Sequence, residues 1–269
     1  MNEKTSQNQI CKKIIERYLS SKYCKKILPH CIASKKSINR LYNIKSINDK
    51  IEVVYPAIQV KKEFSRRQNN KIRLLFVANR FYEKGGKEML QAFSELDKKY
   101  DIELYMRSPI PKEIKERYSN NKNIFFFENI LDRYKLFDLY SNSDIFILPT
   151  YDDSFGYVFL EAMSFGLPLI GNNIFAVPEI IDDGINGFLI ETPVSLFNEN
   201  GCVQKLPNLS KVENPIVIKQ LIEKISILID DSSLRIKMGK NSFNLVQNGR
   251  FSINERNKKL REIYISGLE

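Results

Sequence analysis

The sequence predicts an α/β protein: a doubly wound parallel sheet with a helical C-terminal tail and a partial, basic N-terminal segment. Three observations carry that expectation. Apolar runs of strand length alternate with helix-length segments from Ile72 to Ile190, the pattern of parallel strands joined by right-handed crossovers. Two of those runs, IRLLFVA at 72–78 and DIFIL at 144–148, are apolar apart from Arg73 and Asp144, close to the continuous apolarity expected of strands covered on both faces. The chain has 269 residues, 43% of them hydrophobic and 11% aromatic. That is enough to bury a substantial core, and it excludes a mainly disordered, collagenous or disulfide-stapled chain.

The elements follow in order. Gln9–Ser20 places Ile10, Ile14, Ile15 and Tyr18 at helical spacing. Ser34 is placed to cap a short helix, Lys35–Tyr42, with Ile38 and Leu41 inward. Ile51–Tyr55, an apolar run stopped by Pro56, reads as a strand. Residues 61–71 are polar and read as a loop or linker, so a domain boundary falls near Pro56–Lys71. The alternation then runs strand Ile72–Ala78, a loop with Gly85 and Gly86, a helix to Lys99, strand Ile102–Met106 and helix Lys112–Tyr118. It continues with strand Asn123–Phe127, helix Leu131–Asn142, strand Asp144–Leu148 ending at Pro149, and a helix from about Gly156 to Phe165. Strand Leu167–Gly171, helix Val177–Ile181 and strand Gly187–Ile190 complete the sheet. Residues 192–213 lose periodicity; helices Ile216–Ile229, Ser233–Val246 and Ser252–Tyr264 form the tail.

Charge and cysteine usage narrow the function classes. The net charge is +10, yet residues 1–75 hold 18 Lys and Arg against 5 Asp and Glu, whereas residues 76–269 hold 24 against 27. A basic surplus confined to the first quarter suits a phosphate-rich partner, and equally suits a solvated basic surface. A nucleic-acid partner is not expected, because the main domain is near neutral and no aromatic-rich basic motif is present. The cysteines, at 11, 24, 31 and 202, show no Cys-x-x-Cys spacing, and His30 is the single histidine. Neither a zinc site nor a disulfide framework is expected. No run is long enough to span a bilayer and the polar start is not a signal peptide, so a cytoplasmic chain is expected.

In an open parallel sheet, ligands bind beyond the carboxyl ends of the strands, where helix N-termini present free amides. After the first strand, NRFYEKGG at 79–86 sets Arg80 and Lys84 beside a glycine pair. Arg80 is suited to a bidentate phosphate clamp and Lys84 to a compact charge. After the fourth strand, Asp152, Asp153, Ser154, Phe155 and Gly156 lead into a helix that carries Glu161. Asp153 and Glu161 are eight residues apart, about 12 Å at most along a helix axis. That separation suits a ligand gripped at two ends; the plainer alternative makes Asp152 or Asp153 a helix cap and leaves Glu161 in solvent. After the fifth strand, Asn172 and Asn173 either bond hydroxyls or turn the chain. Glu179 follows Pro178 as an acidic first-turn residue, and residues 182–187 read as a turn.

The ordered motifs FVANR…KGG (76–86), DIFILP (144–149), SFG…LEAM (154–163), GLP (166–168), PE (178–179) and NGF (186–188) resemble glycosyltransferase family 4. The resemblance runs from about Asp49 to the C-terminus. It implies the GT-B fold, with a Rossmann-like donor domain, and a retaining, metal-independent hexosyl transfer from a nucleotide-diphosphate sugar. It further implies that Arg80 and Lys84 bind the diphosphate and that Ser154, Phe155 and Gly156 complete the donor site. The family's paired glutamates fall on Asp153 and Glu161, which would serve as the catalytic pair. By that match Asp153 contacts the donor sugar and Glu161 the ribose. Residues 1–55 would be a remnant of the N-terminal acceptor-side domain, 56–213 the nucleotide-sugar-binding domain and 214–269 the C-terminal helices.

The implied function is transfer to an acceptor glycan or lipid-linked sugar in cell-surface polysaccharide or glycolipid synthesis. No metal or other cofactor is expected. The expected partners are the donor, the acceptor, an anionic membrane touched peripherally at its inner face, and a chain supplying the acceptor domain. The alternative is a non-catalytic nucleotide-sugar-binding fragment or subunit of a split transferase.

Overall fold

The structure is a computed structural model that describes residues 2–42, 45–60, 71–128, 132–196 and 203–268. The N-terminal part consists of helix α1 (Asn2–Ser20), helix α2 (Ile32–Tyr42) and a 3₁₀ turn, Lys45–Lys50. The alternating part begins with β1 (Ile72–Val77), α3 (Gly86–Leu96), β2 (Ile102–Arg107), α4 (Lys112–Tyr118) and β3 (Ile124–Phe127). It continues with α5 (Arg133–Ser141), β4 (Ile145–Leu148), α6 (Tyr157–Ser164), β5 (Leu169–Asn172), α7 (Val177–Ile180) and β6 (Gly187–Ile190). Helices α8 (Pro215–Asp230), α9 (Ser232–Gln247) and α10 (Ile253–Leu268) end the chain. Most of the expected 61–71 loop lies outside the described residues, as do Leu131 and Cys202. None of the described helices is long and apolar enough to cross a membrane.

The six strands pair in the order β3-β2-β1-β4-β5-β6, every pair parallel. The chain steps outward from β1 to β3, then returns to place β4 on the other side of β1. The order therefore reverses between β1 and β4, and a crevice opens there at the carboxyl edge. Strand β4 is buried at all four positions, whereas β2 alternates buried and half-buried residues. This difference follows from position: β4 is covered on both faces, while β2 lies beside the edge strand. Helix α8 buries Val217, Leu221, Ile225 and Leu228, one stripe at helical spacing. Its neighbour across the interface is α3, which buries Met89, Leu90, Phe93 and Leu96.

The N-terminal segment corrects three expectations. Ile51–Tyr55 is not a strand. Ile51 makes one isolated parallel bridge with Ile27, and Val54 donates to the Pro29 carbonyl at 3.0 Å. Pro29 has no N–H to return, so the ladder cannot propagate. Helix α2 starts at Ile32 rather than Lys35, and Ser34 is not its cap. The Glu179 carboxylate takes that role from a distant loop: Ile32 N–H donates to Oε2 at 2.7 Å and Ala33 N–H to Oε1 at 2.8 Å. Leu41 is 52% exposed instead of inward, whereas Ile38 is half-buried. Ile10, Ile14, Ile15 and Tyr18 do share one side of a helix, and all four are exposed.

Glu179 also accepts a hydrogen bond from the Tyr55 hydroxyl at 2.9 Å. Burial and this carboxylate push the Tyr55 pKa up, which keeps the hydroxyl a donor. One side chain thus ties two stretches of the N-terminal segment to the sheet domain. Replacing Glu179 by Ala should destabilise the protein by about 2–3 kcal/mol, combining a lost cap with a lost charge-assisted bond. Gln should cost less, because its amide oxygen still accepts. Denaturant midpoints of the two variants check this, and an unchanged midpoint for Ala would mean other contacts hold the segment.

Candidate functional site

Two loops meet at the crevice between β1 and β4, and glycine geometry brings them together. Gly85, the residue before α3, has φ 75°, and a Cβ there would lie 2.3 Å from the Pro149 carbonyl oxygen. Gly156, the residue before α6, has φ 98°, and a Cβ there would lie 2.7 Å from the Phe159 ring. Only glycine satisfies both demands at each position. Neither helix N-terminus is capped by a side chain; the Gly86 N–H at the start of α3 is taken by the Phe81 carbonyl, whereas the start of α6, Gly156 to Val158, lines the cleft, where helix amides favour an anion.

The resulting cleft has a volume of about 520 Å³ and is lined by Asn79, Arg80, Lys84, Arg107, Asp153 and Gly156 among others. A larger groove, about 620 Å³, runs between residues 52–55 and α10. It includes none of the residues that follow β1, β4 or β5, and its Glu and Lys/Arg side chains nearly balance. The crevice at the strand ends is therefore the candidate site.

Both expected cations are ion-paired within it. Arg80, half-exposed, meets the Asp152 carboxylate. Lys84 is only 7% exposed; it donates to Asp153 Oδ2 at 2.8 Å and also to the Asp152 carbonyl. A desolvated ammonium is tolerable only with such partners. Asp153 uses its other oxygen to accept from the Phe155 N–H at 3.2 Å, a local turn. Gly156 occupies the cap position of α6, so neither aspartate caps that helix, and the capping alternative does not hold.

Ser154 and Gly156 line the cleft, but the Phe155 side chain between them does not. It turns inward, 2% exposed, against Tyr55 and Phe251. Glu161 does not line the cleft and does not lie in solvent. It sits half-buried, and the Tyr140 hydroxyl donates to its Oε2 at 2.8 Å. Burial pushes the Glu161 carboxyl up from its ordinary value, while the Tyr140 bond, Arg133 and Arg107 pull it down. Asn172 is buried and donates to the Thr150 carbonyl at 2.9 Å, and Asn173 bonds Glu191. The two asparagines thus brace neighbouring chain. His30 is exposed. Among the described residues no group of three or more His, Cys, Asp or Glu is arranged to hold a metal ion.

Two residues of this neighbourhood were not expected from sequence. Arg107 ends β2, lines the cleft and donates from Nη1 to the Ala78 carbonyl at 3.2 Å. Its place at the end of a strand was itself a usable signal. Tyr140 is a fully buried residue of α5 whose partner is 21 positions away, and nothing local marks it.

The Glu161 environment makes a pH-dependent prediction. Because its pKa is raised on folding, the folded state holds this proton more tightly than the unfolded chain. Its favourable contribution is complete below the ordinary value of 4.5 and is lost as pH rises through the folded value. Glu161→Gln, which keeps an acceptor for Tyr140, should therefore raise Tm at pH 7, and the gain should vanish by about pH 4. Thermal melts across that range check it; a lower Tm at pH 7 would contradict the burial reading.

Comparison with known proteins agrees with this architecture. The family model for glycosyl transferases group 1 matches residues 58–199. N-acetyl-alpha-D-glucosaminyl L-malate synthase of Bacillus anthracis is 29% identical over 163 residues, 60% of this chain and 42% of that protein. The capsular polysaccharide biosynthesis glycosyltransferase CapM of Staphylococcus aureus is 24% identical over 218 residues, 78% of this chain and 50% of that one. The chain thus spans half or less of the length of these curated relatives. A glycosyltransferase structure from Rickettsia africae superposes with a TM-score of 0.71 at 21% identity, covering 95% of this chain and 67% of that one. The sheet with its flanking helices is that of GT-B glycosyltransferases. Since the matched segment takes in the strands, both loops and the candidate cleft, this chain belongs to the glycosyl transferases group 1 family.

Proposed function

We propose that this chain carries the donor-binding half of a retaining, family 4 glycosyltransferase that uses a nucleotide-diphosphate sugar. The observation that carries the reading is the cleft itself: Arg80, Lys84 and Arg107 converge beside the glycine-started helix α6 at the point where strand order reverses. In the free protein, carboxylates occupy Arg80 and Lys84. A donor diphosphate replaces Asp152 at Arg80, the exposed member of the pair. As the glycosidic bond breaks, negative charge grows on the leaving diphosphate, and these cations with the α6 amides stabilise it. The acceptor hydroxyl attacks the anomeric carbon from the face the diphosphate leaves and passes its proton to the departing phosphate oxygen, so configuration is retained and the diphosphate leaves protonated. Two fixed cations and a helix N-terminus supply the positive charge, so no divalent metal is required.

In this reading Asp153, held in place by Lys84 and the Phe155 N–H, faces the sugar, while Glu161, steadied by Tyr140, accepts from the ribose hydroxyls. The acceptor is a glycan or lipid-linked sugar of a cell-surface polymer. That class draws support from relatives named for capsular polysaccharide biosynthesis and for transfer to an undecaprenol-linked sugar. Acceptor recognition draws on residues beyond those described for the donor cleft.

Calorimetry with a panel of UDP, GDP, ADP and dTDP, in the presence of a chelator, tests the donor reading. At least one should bind; binding abolished by the chelator would sink metal independence. Arg80→Ala should weaken the bound diphosphate by about 1.5–3 kcal/mol and the nucleoside much less. Lys84→Ala should do the same and also lower Tm, because it strands Asp153 in a largely desolvated position. Glu161→Gln should weaken nucleoside and diphosphate alike. Asp153→Asn should spare the diphosphate and harm only the sugar conjugate, and equal losses would overturn the sugar-contact role.

A further inference from the structure

The donor loop has a second face. Ser154 and Gly156 line the cleft, while the buried Phe155 ring, edge-on to the neighbouring Tyr157 at 5.7 Å, also joins Tyr55 and Phe251 in an aromatic trio assembled from three distant parts of the chain. Ring centroids lie 6.5 Å apart for Tyr55–Phe155, 6.2 Å for Phe155–Phe251 and 5.4 Å for Tyr55–Phe251. The pairs are tilted or edge-on, the arrangements that aromatic quadrupoles favour. Phe251 is fully buried, and its carbonyl accepts from the Ile58 N–H at 3.4 Å, which holds the 55–58 stretch alongside it. The Tyr55 hydroxyl is fixed on Glu179. Arg250, stacked over Phe251, donates to the Glu179 carbonyl at 3.1 Å and to Asp182 at 2.9 Å. The seat is therefore rigid, and the loop it receives is short.

We propose that Tyr55 and Phe251 are positioning residues for the donor loop: they seat Phe155, and through it set the backbone of Ser154 and Gly156 on the cleft side. The inference rests on the donor reading of the cleft given above. Phe155 is one residue from each of the two positions it places, so a shift of its ring moves both by a similar distance. Displacement of about 1 Å at a binding group costs up to about a hundredfold in a site that depends on geometry. The N-terminal segment and the turn before α10 thereby become part of the donor site without touching the ligand. Tyr55 does this with the face of its ring, and its hydroxyl serves the separate anchor at Glu179.

The test compares Tyr55→Ala, Tyr55→Leu and Tyr55→Phe by hydrogen exchange at the Phe155 amide and by calorimetry with UDP, GDP, ADP and dTDP. Tyr55→Ala should speed exchange at Phe155 selectively, about tenfold relative to amides of β1. It should weaken the bound diphosphate about tenfold and leave the nucleoside unchanged. Tyr55→Leu, a milder loss of ring, should lie between. Tyr55→Phe should restore both readouts even though it forfeits the Glu179 bond. A fall in Tm for Tyr55→Ala with wild-type exchange at Phe155 and wild-type diphosphate affinity would overturn the proposal, leaving Tyr55 a scaffold residue. The exchange arm needs no ligand. Failure of the wild type to bind any of the four diphosphates would therefore sink the donor reading, while loop exchange still decides whether Tyr55 positions Phe155.

Discussion

A nearly desolvated ammonium group joins the two walls of the cleft. Lys84 comes from the loop after β1, and its partners, the Asp153 carboxylate and the Asp152 carbonyl, come from the loop after β4. Burying a lone ammonium costs several kcal/mol, so the loop after β4 must reach over to meet it. Other features follow from that approach. The Tyr151 N–H donates to the Glu83 carbonyl at 2.8 Å. Gly85 lies so close to Pro149 that no side chain fits between them. With Asp152 drawn in, its carboxylate falls within reach of Arg80. The pairing leaves Arg80 as the more exposed cation, the one an incoming anion can capture without uncovering a buried charge.

The carboxylate on α6 shows a different balance. Glu161 is held between an apolar core, which disfavours its charge, and Tyr140, Arg133 and Arg107, which favour it. Burial prevails, so the group is retained at some expense to stability. The Tyr140 hydroxyl takes one carboxylate oxygen and is itself kept protonated by burial, so the pair stays a fixed donor–acceptor unit.

Glu179 and the aromatic trio make the N-terminal segment continuous with the sheet domain. The sequence changes character near Pro56, and specific contacts join the stretches on either side. A helix N-terminus, a tyrosine hydroxyl and an arginine all converge on one short helix, α7. Because α7 follows β5 and Tyr55 abuts Phe155, movement of the segment cannot be independent of the loop after β4.

Local periodicity sufficed for much of this protein. The apolar runs in IRLLFVA and DIFIL marked strands, and Ile216–Ile229 was legible as a helix. Lys112–Tyr118 and Gly187–Ile190 have the limits their side-chain pattern predicts. The glycines that begin α3 and α6, with Arg80 and Lys84 nearby, were legible because loops at strand ends carry their chemistry in a few adjacent residues. What sequence could not supply was the identity of partners. Ser34 looked like the cap of α2 because capping is usually local, yet the cap is Glu179, 147 positions from Ile32. Ile51–Tyr55 had strand character but no unbroken edge to join, because Pro29 interrupts its neighbour. Phe155 reads as one more loop residue beside the cleft, and only the arrival of Tyr55 and Phe251 turns it inward. Backbone propensity is a property of a few consecutive residues; the partner of a charge or an aromatic ring is chosen by tertiary distance, which no local pattern encodes.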